Sequence, residues 1–232
     1  MYSRFKIIGA FLIVAGLAFA GVGGYTFMKT QEGAKALNTF SAAQAVKLNY
    51  NDQGQLTDRG KTEGGQAILA LLQDGWGYSV NTAELNPNDP IVNTASEYMV
   101  EMATIAYHTL NGVQKVTLAA DVTKADGTVI PAGTYDVPVN GRYFSQFDRT
   151  DPLDGPARDQ AWSGTAHALI AELGVGSVTA STIQMGLGIA AIAAALGAVL
   201  FLLGLCVVWA ARPIAETEAA TVTKRPLVPA TA

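Results

Sequence analysis

Three side chains in the last third of the chain have the residue types of a hydrolase triad. Asp159, Ser163 and His167 follow one another at intervals of four residues, so a continuous helix would place them along one face. Hydrolase triads draw the nucleophile and the base from different elements, so that the two meet in a cleft. The sequence also contains no G-x-S-x-G turn, which presents the serine in α/β-hydrolases. The row therefore predicts a polar helix surface and no catalytic residue.

A metal site would have to use both histidines, His108 and His167, because the chain has no others. Two histidines and one carboxylate form the ligand set of non-haem iron oxygenases. Neither histidine has an H-x-x-E or similar spacing beside it. The single cysteine, Cys206, lies in an apolar segment and has no partner for a disulfide in this chain. We therefore predict no metal site, no cofactor and no enzymatic activity.

Nucleotide and nucleic-acid binding are disfavoured as well. Gly186, Gly188 and Ala191 imitate part of the dinucleotide-binding fingerprint, but that motif follows a strand and these residues lie in a long apolar segment. The sequence contains no phosphate-binding loop and no basic patch, and its formal net charge is −4. Such a chain repels the phosphates of nucleic acids.

Two uncharged segments near the ends dominate the sequence. Residues 7–28 and residues 185–211 contain no Asp, Glu, Lys or Arg, and each exceeds the roughly 18 residues that mark a membrane-spanning segment. The fold class predicted is a membrane protein, in which two transmembrane α-helices flank an α+β domain over residues 29–184. The tail, residues 212–232, has few large apolar side chains and is predicted to be disordered.

The charges beside the two segments predict their orientation. Arg4 and Lys6 precede the first segment, and Arg212, Lys224 and Arg225 follow the second. Residues 29–184 hold ten Lys and Arg against seventeen Asp and Glu. By the positive-inside rule, both termini, including residues 1–6, are cytoplasmic. The domain is then extracytoplasmic, on the outer side of the plasma membrane.

A cleaved signal peptide is the alternative interpretation of the first segment. Ala18, Phe19 and Ala20 form an A-x-A cleavage pattern after a short basic region. The apolar run continues to Met28, beyond the 7 to 15 residues of an ordinary signal core. We therefore predict an uncleaved span, and under the alternative the domain remains outside.

Small residues recur every four positions in both segments and predict helix packing, because they let helix backbones approach closely in a bilayer. The predicted packing residues are Gly16, Ala20 and Gly24 in the first segment, and Gly186, Ala190, Ala194 and Ala198 in the second. The partner of each face is the other span, a second copy or a larger complex. The alternative is that glycine and alanine are simply common in transmembrane helices. Neither segment contains a charged residue or a histidine, which disfavours an ion path.

The best-marked helix of the domain begins at a capping box made by Thr94 and Glu97 and ends at Asn111-Gly112. Its predicted inward stripe is Tyr98, Met102, Ile105 and Thr109, flanked by Met99, Ala106 and Leu110. Its predicted polar face is Glu97, Glu101, Thr104 and His108.

Two further helices and a β-hairpin complete the predicted domain. The helices cover Thr62–Gln73 and Pro156–Leu173, the latter ended by Gly174. The hairpin strands cover residues 116–122 and 128–139. These elements predict an α+β domain with a β-hairpin and about three helices.

The layout resembles a family of small actinobacterial envelope membrane proteins. The residues that carry the resemblance are Arg4-Phe5-Lys6 before a first span rich in Gly and Ala, Asn88-Asp89-Pro90 in the outer domain, and a second such span before a short tail. Some members are labelled aromatic ring-opening dioxygenases. Others are similar in layout to the accessory subunits of the cytochrome bcc–aa3 respiratory supercomplex. The resemblance covers the whole chain in architecture and transfers no functional residue.

Two functions follow as the main hypotheses, and a metal-dependent enzyme that uses His108 and His167 is a third. The first is a non-enzymatic accessory or structural subunit of a plasma-membrane complex, with lipids and other integral membrane subunits as partners. The second is a membrane-tethered module that binds a small ligand or a lipid in the outer domain. A large complex that survives mild detergent favours the first hypothesis, and a deep apolar cavity favours the second.

Overall fold

The structure is a computed structural model and describes residues 2–211, so the predicted tail lies outside the described residues. Two long helices enclose the other elements in sequence. The helices are α1 (Tyr2–Gln44), α2 (Thr62–Ala70), α3 (Ala95–Leu110), α4 (Asp154–Ala161) and α5 (Gly164–Ala210). The strands are β1 (Asn49–Tyr50), β2 (Leu56–Thr57), β3 (Val113–Leu118), β4 (Val122–Thr123), β5 (Val129–Ile130) and β6 (Gly133–Pro138).

The chain forms two compact units. Residues 2–29 and 186–211 form a pair of helices, and residues 30–185 form a unit with helices and small sheets. Helices α1 and α5, with 43 and 47 residues, are each long enough and apolar enough to cross a membrane. The coarse prediction of two long apolar helices with a sheet-containing region between them is confirmed.

The predicted helix over Pro156–Leu173 is wrong. Helix α4 ends at Ala161, α5 begins at Gly164, and Gly174 lies inside α5. Trp162 leaves the helical conformation, with φ −96° and ψ 53°, and its indole Nε1 donates a hydrogen bond to the carbonyl oxygen of Arg142 at 3.1 Å. The hydroxyl of Ser163 then accepts a hydrogen bond from the backbone N–H of Ala166, which starts the new helix. A contact distant in sequence therefore decides the break.

The strands form three antiparallel pairs: β1 with β2, β3 with β6, and β4 with β5. The predicted hairpin is present, and its turn is closed by a hydrogen bond from the backbone N–H of Thr128 to the Asp126 carboxylate. The hairpin is interrupted between its two ladders, where the Asp121 carboxylate accepts a hydrogen bond from the backbone N–H of Ala132 at 2.7 Å. Pro131 lies in this interruption because it has no N–H to donate to a ladder.

Helix α3 packs against both hydrophobic clusters of the second unit. Tyr98, Ala106 and Leu110 are buried as predicted. Val100 and Ala103 are fully buried as well, whereas Met102 and Ile105 are half-buried, so the core face is rotated slightly from the predicted stripe. The larger cluster also contains Ile68 and Leu72. A second cluster gathers residues from α3, from the hairpin, from α4 and from the segments next to these elements: Leu110, Val116, Val139, Phe147, Ala157, Ala161 and Trp162.

Glu97 was predicted on the polar face of α3, and this is wrong, because its side chain is only 2% exposed. The predicted capping box explains the burial. The Glu97 carboxylate accepts hydrogen bonds from the backbone N–H groups of Asn93 and Thr94, and the Thr94 hydroxyl accepts one from the N–H of Glu97. The carboxylate is thus turned back onto the two residues that precede the helix. These hydrogen bonds favour its charged form, but burial has the larger effect and raises the pKa of Glu97.

Candidate functional site

The most closely packed contact of the helix pair is made by glycines that recur every seven residues. In α1 these are Gly9, Gly16 and Gly23, and in α5 they are Gly197 and Gly204. A Cβ atom built at Gly16 would lie 2.7 Å from the carbonyl oxygen of Gly197. The backbones therefore touch, with no space for a side chain. We call this contact the glycine seam.

The same close approach is repeated at both ends of the seam. A Cβ atom at Gly204 would lie 2.7 Å from the carbonyl oxygen of Gly9, and one at Gly23 would lie 2.9 Å from the carbonyl oxygen of Ala190. Each step of seven residues forward in α1 thus matches a step of seven residues backward in α5. A seven-residue repeat of this kind is the pattern of helices that coil gently around each other with a left-handed twist.

The structure divides the predicted packing residues between two environments. Gly16, Ala20, Ala190 and Ala194 contribute backbone atoms to the seam. A Cβ atom at Gly24, in contrast, would meet nothing within 4 Å. Gly186 is half-buried and Ala198 is exposed.

Sequence reasoning missed Gly9, Gly23 and Gly204 because it followed intervals of four residues. The signal that could have found them is the seven-residue recurrence of glycine in both segments. This recurrence is specific to glycine, whereas the four-residue pattern is shared by many alanines.

Large apolar side chains point away from the seam. Only 17% of the most apolar window of each long helix is buried. The outward side chains that are at least half exposed include Phe11, Val14, Leu17, Val22, Ile189, Ile192, Val199, Leu202 and Trp209. Exposed apolar surfaces of this extent are typical of faces that contact lipid or another protein. The helix pair therefore has an inner face of small residues and an outer face of large apolar ones.

The three residues of the apparent triad do not share one helix. Asp159 lies in α4 and pairs with the neighbouring Arg158 at 2.6 Å, while Ser163 lies between α4 and α5. The His167 ring lies edge-on against Phe144, with 5.3 Å between ring centroids. Each side chain has its own structural partner, and the single helix face expected from the spacing is wrong.

His108 lies in a different cluster from His167. Its Nε2 atom is 2.9 Å from both carboxylate oxygens of Asp58. This contact joins α3 to the turn before α2. Glu101, one further carboxyl of α3, lies close enough to interact electrostatically with both residues, and burial raises its pKa. Within the described residues, no group of three His, Cys, Asp or Glu side chains is placed to hold a metal ion.

The turn that presents Asp58 is encoded locally. The backbones of Asp58 and Lys61 exchange two hydrogen bonds of 2.9 Å, and the residues between them, Arg59 and Gly60, have φ values of 49° and 78°. Positive φ at both central positions defines the type I′ turn, which glycine favours. A Cβ atom at Gly64 would lie 2.8 Å from the Asp58 Cβ, so α2 packs directly against this side chain.

An apolar groove of about 380 Å³ lies within the second unit, between α1, α3 and α5. It is lined mainly by Leu37, Phe40, Tyr98, Ala171, Val175 and Gly176. The Tyr98 hydroxyl is 2.8 Å from the Ser41 hydroxyl, and its ring packs directly on the backbone of Gly176. Tyr98 therefore links all three helices and forms one wall of the groove.

Tyr50 carries a buried hydroxyl with no hydrogen-bond partner among the residues that the structure describes. Burial, and after it the negative charge of Glu97, raises the pKa of Tyr50 to about 12. Both causes disfavour the phenolate, because it would be a second negative charge in a poorly solvated place.

No protein-family model, no curated protein and no solved structure matches the chain.

Proposed function

We propose that this protein spans the plasma membrane twice and serves as a non-enzymatic accessory or structural subunit of a larger membrane complex. One observation carries the proposal: the small residues of the two long helices are used against each other in the glycine seam, and the large apolar side chains face outward. In such a helix pair the small residues already pack against each other, and the outer surface of large apolar side chains is available to lipid and to other transmembrane helices.

A membrane location accounts for the outward side chains better than a soluble fold does. The core helix of a soluble protein would be mostly buried, whereas Phe11 and Ile192 are each 70% exposed. Retention of the first span is supported by the glycine seam, in which Gly9 and Gly16 contact α5. Cleavage after Ala20 would remove two of the three α1 glycines from the seam.

The proposed topology places residues 29–184 outside the cell and both termini in the cytoplasm, as the basic residues at the ends favour. Labelling with a membrane-impermeant maleimide tests it, because one substitution, Cys206→Ser, removes the single native thiol. In that background, Asp126→Cys, on the exposed hairpin turn, is expected to react in intact cells. Glu218→Cys is expected to react only after lysis, and the reverse result would overturn the topology.

Purification of the tagged full chain in a mild detergent tests the subunit role. We expect it to co-purify with larger integral membrane proteins in constant proportion across several detergents. The resemblance in layout makes the respiratory supercomplex the first assembly to look for in the mass spectra. A monomer or homodimer alone, obtained from native membranes in lipid nanodiscs, would contradict the proposal.

The second candidate function is a binding module, and the apolar groove beside Tyr98 favours it. Its volume lies within the range of small-ligand sites. Val175 lines the groove and Val178 does not, although their side chains are exposed to the same degree, at 66% and 67%. Native mass spectrometry should then find a small molecule retained by wild type and by Val178→Asp but lost from Val175→Asp. No retained molecule in wild type would exclude this candidate.

A further inference from the structure

We draw no further inference here: the strongest candidate, the outward face of α1 at Gly21 and Gly24, where an added Cβ atom would meet nothing within 4 Å, is a face of small residues, and nothing in the structure shows what covers it.

Discussion

Gly16 and Gly197 face each other backbone to backbone. A Cβ atom at Gly16 would lie 2.7 Å from the carbonyl oxygen of Gly197, and a Cβ atom at Gly197 would lie 2.8 Å from the carbonyl oxygen of Gly16. Both distances are shorter than any ordinary Cβ contact, and backbone atoms cannot rotate aside. The pair therefore fixes how closely α1 and α5 approach.

Gly16→Ala is expected to destabilise the helix pair by about 1–3 kcal/mol, the usual cost of overpacking. The matched control is Gly21→Ala, on the same helix, where the new methyl group meets nothing within 4 Å. Thermal unfolding of the full chain in detergent, followed by circular dichroism, compares the two. Equal melting temperatures for both variants would refute the seam.

A second glycine pair tests the packing of Tyr98. Gly176→Ala places a methyl group against the Tyr98 ring, whereas Gly174→Ala makes only an ordinary contact, 3.8 Å from the Met102 sulfur. We expect Gly176→Ala to lower the melting temperature, because the ring must move and its hydrogen bond to Ser41 is lost. Gly174→Ala should be neutral or stabilising, since alanine favours helix. A larger fall in melting temperature for Gly174→Ala than for Gly176→Ala would show that the Tyr98 ring does not pack against Gly176.

The Asp58–His108 pair is expected to matter for stability. Asp58→Ala removes the acceptor that joins α3 to the turn before α2, and we expect a loss of about 1 kcal/mol, because His108 can partly turn to water. The control is Asp136→Ala, whose partner Lys115 is 75% exposed, and the change there should stay within about 0.5 kcal/mol. Chemical unfolding of the full chain measures the free energy of unfolding of both variants. Equal losses in Asp58→Ala and Asp136→Ala would contradict a stabilising role for the Asp58–His108 pair.

How much of this could be predicted from the sequence depends on the range of the interaction. The apolar segments and the capping box of Thr94 and Glu97 are local patterns, and both were predicted. The end of α4 at Trp162 depends on a hydrogen bond to Arg142, twenty residues earlier, which no local pattern contains. Gly23 and Gly24 are adjacent and identical, and an interval of four residues from Gly16 selects Gly24, whereas the seven-residue interval that matches the partner helix selects Gly23.

Tyr50→Phe is expected to leave stability unchanged or raise it by up to about 1 kcal/mol at neutral pH. The substitution removes a buried hydroxyl that has no partner within the described part of the chain. Tyr98→Phe is the contrasting variant, because it removes the hydroxyl that bonds to Ser41, and it should lower stability by about 1 kcal/mol. Melting temperatures at pH 7 compare them, and a clear loss in Tyr50→Phe would reveal a partner for that hydroxyl.

Alkaline pH should destabilise wild type through the same residue. The pKa of Tyr50 is about 12 in the folded protein and about 10 when the chain is unfolded. Between these values only the unfolded chain releases the Tyr50 proton. The preference of the folded state for neutral Tyr50 therefore contributes fully to stability below pH 10, and this contribution is lost as the pH rises towards 12. Between pH 10 and pH 12 the melting temperature of wild type should therefore fall more steeply than that of Tyr50→Phe. A constant difference from pH 8 to 12 would contradict the raised pKa.

The seven-residue recurrence of the seam also limits which changes of length the two long helices can accept. One extra residue between Gly9 and Gly16 would rotate everything beyond it by about 100° around the helix axis and turn Gly9 away from α5. An insertion of seven would restore the rotation but would shift Gly9 by about 10 Å along the axis, away from Gly204, unless α5 gained a matching insertion. The register of the seam therefore sets the length of the two long helices jointly, and a change in one requires an equal change in the other.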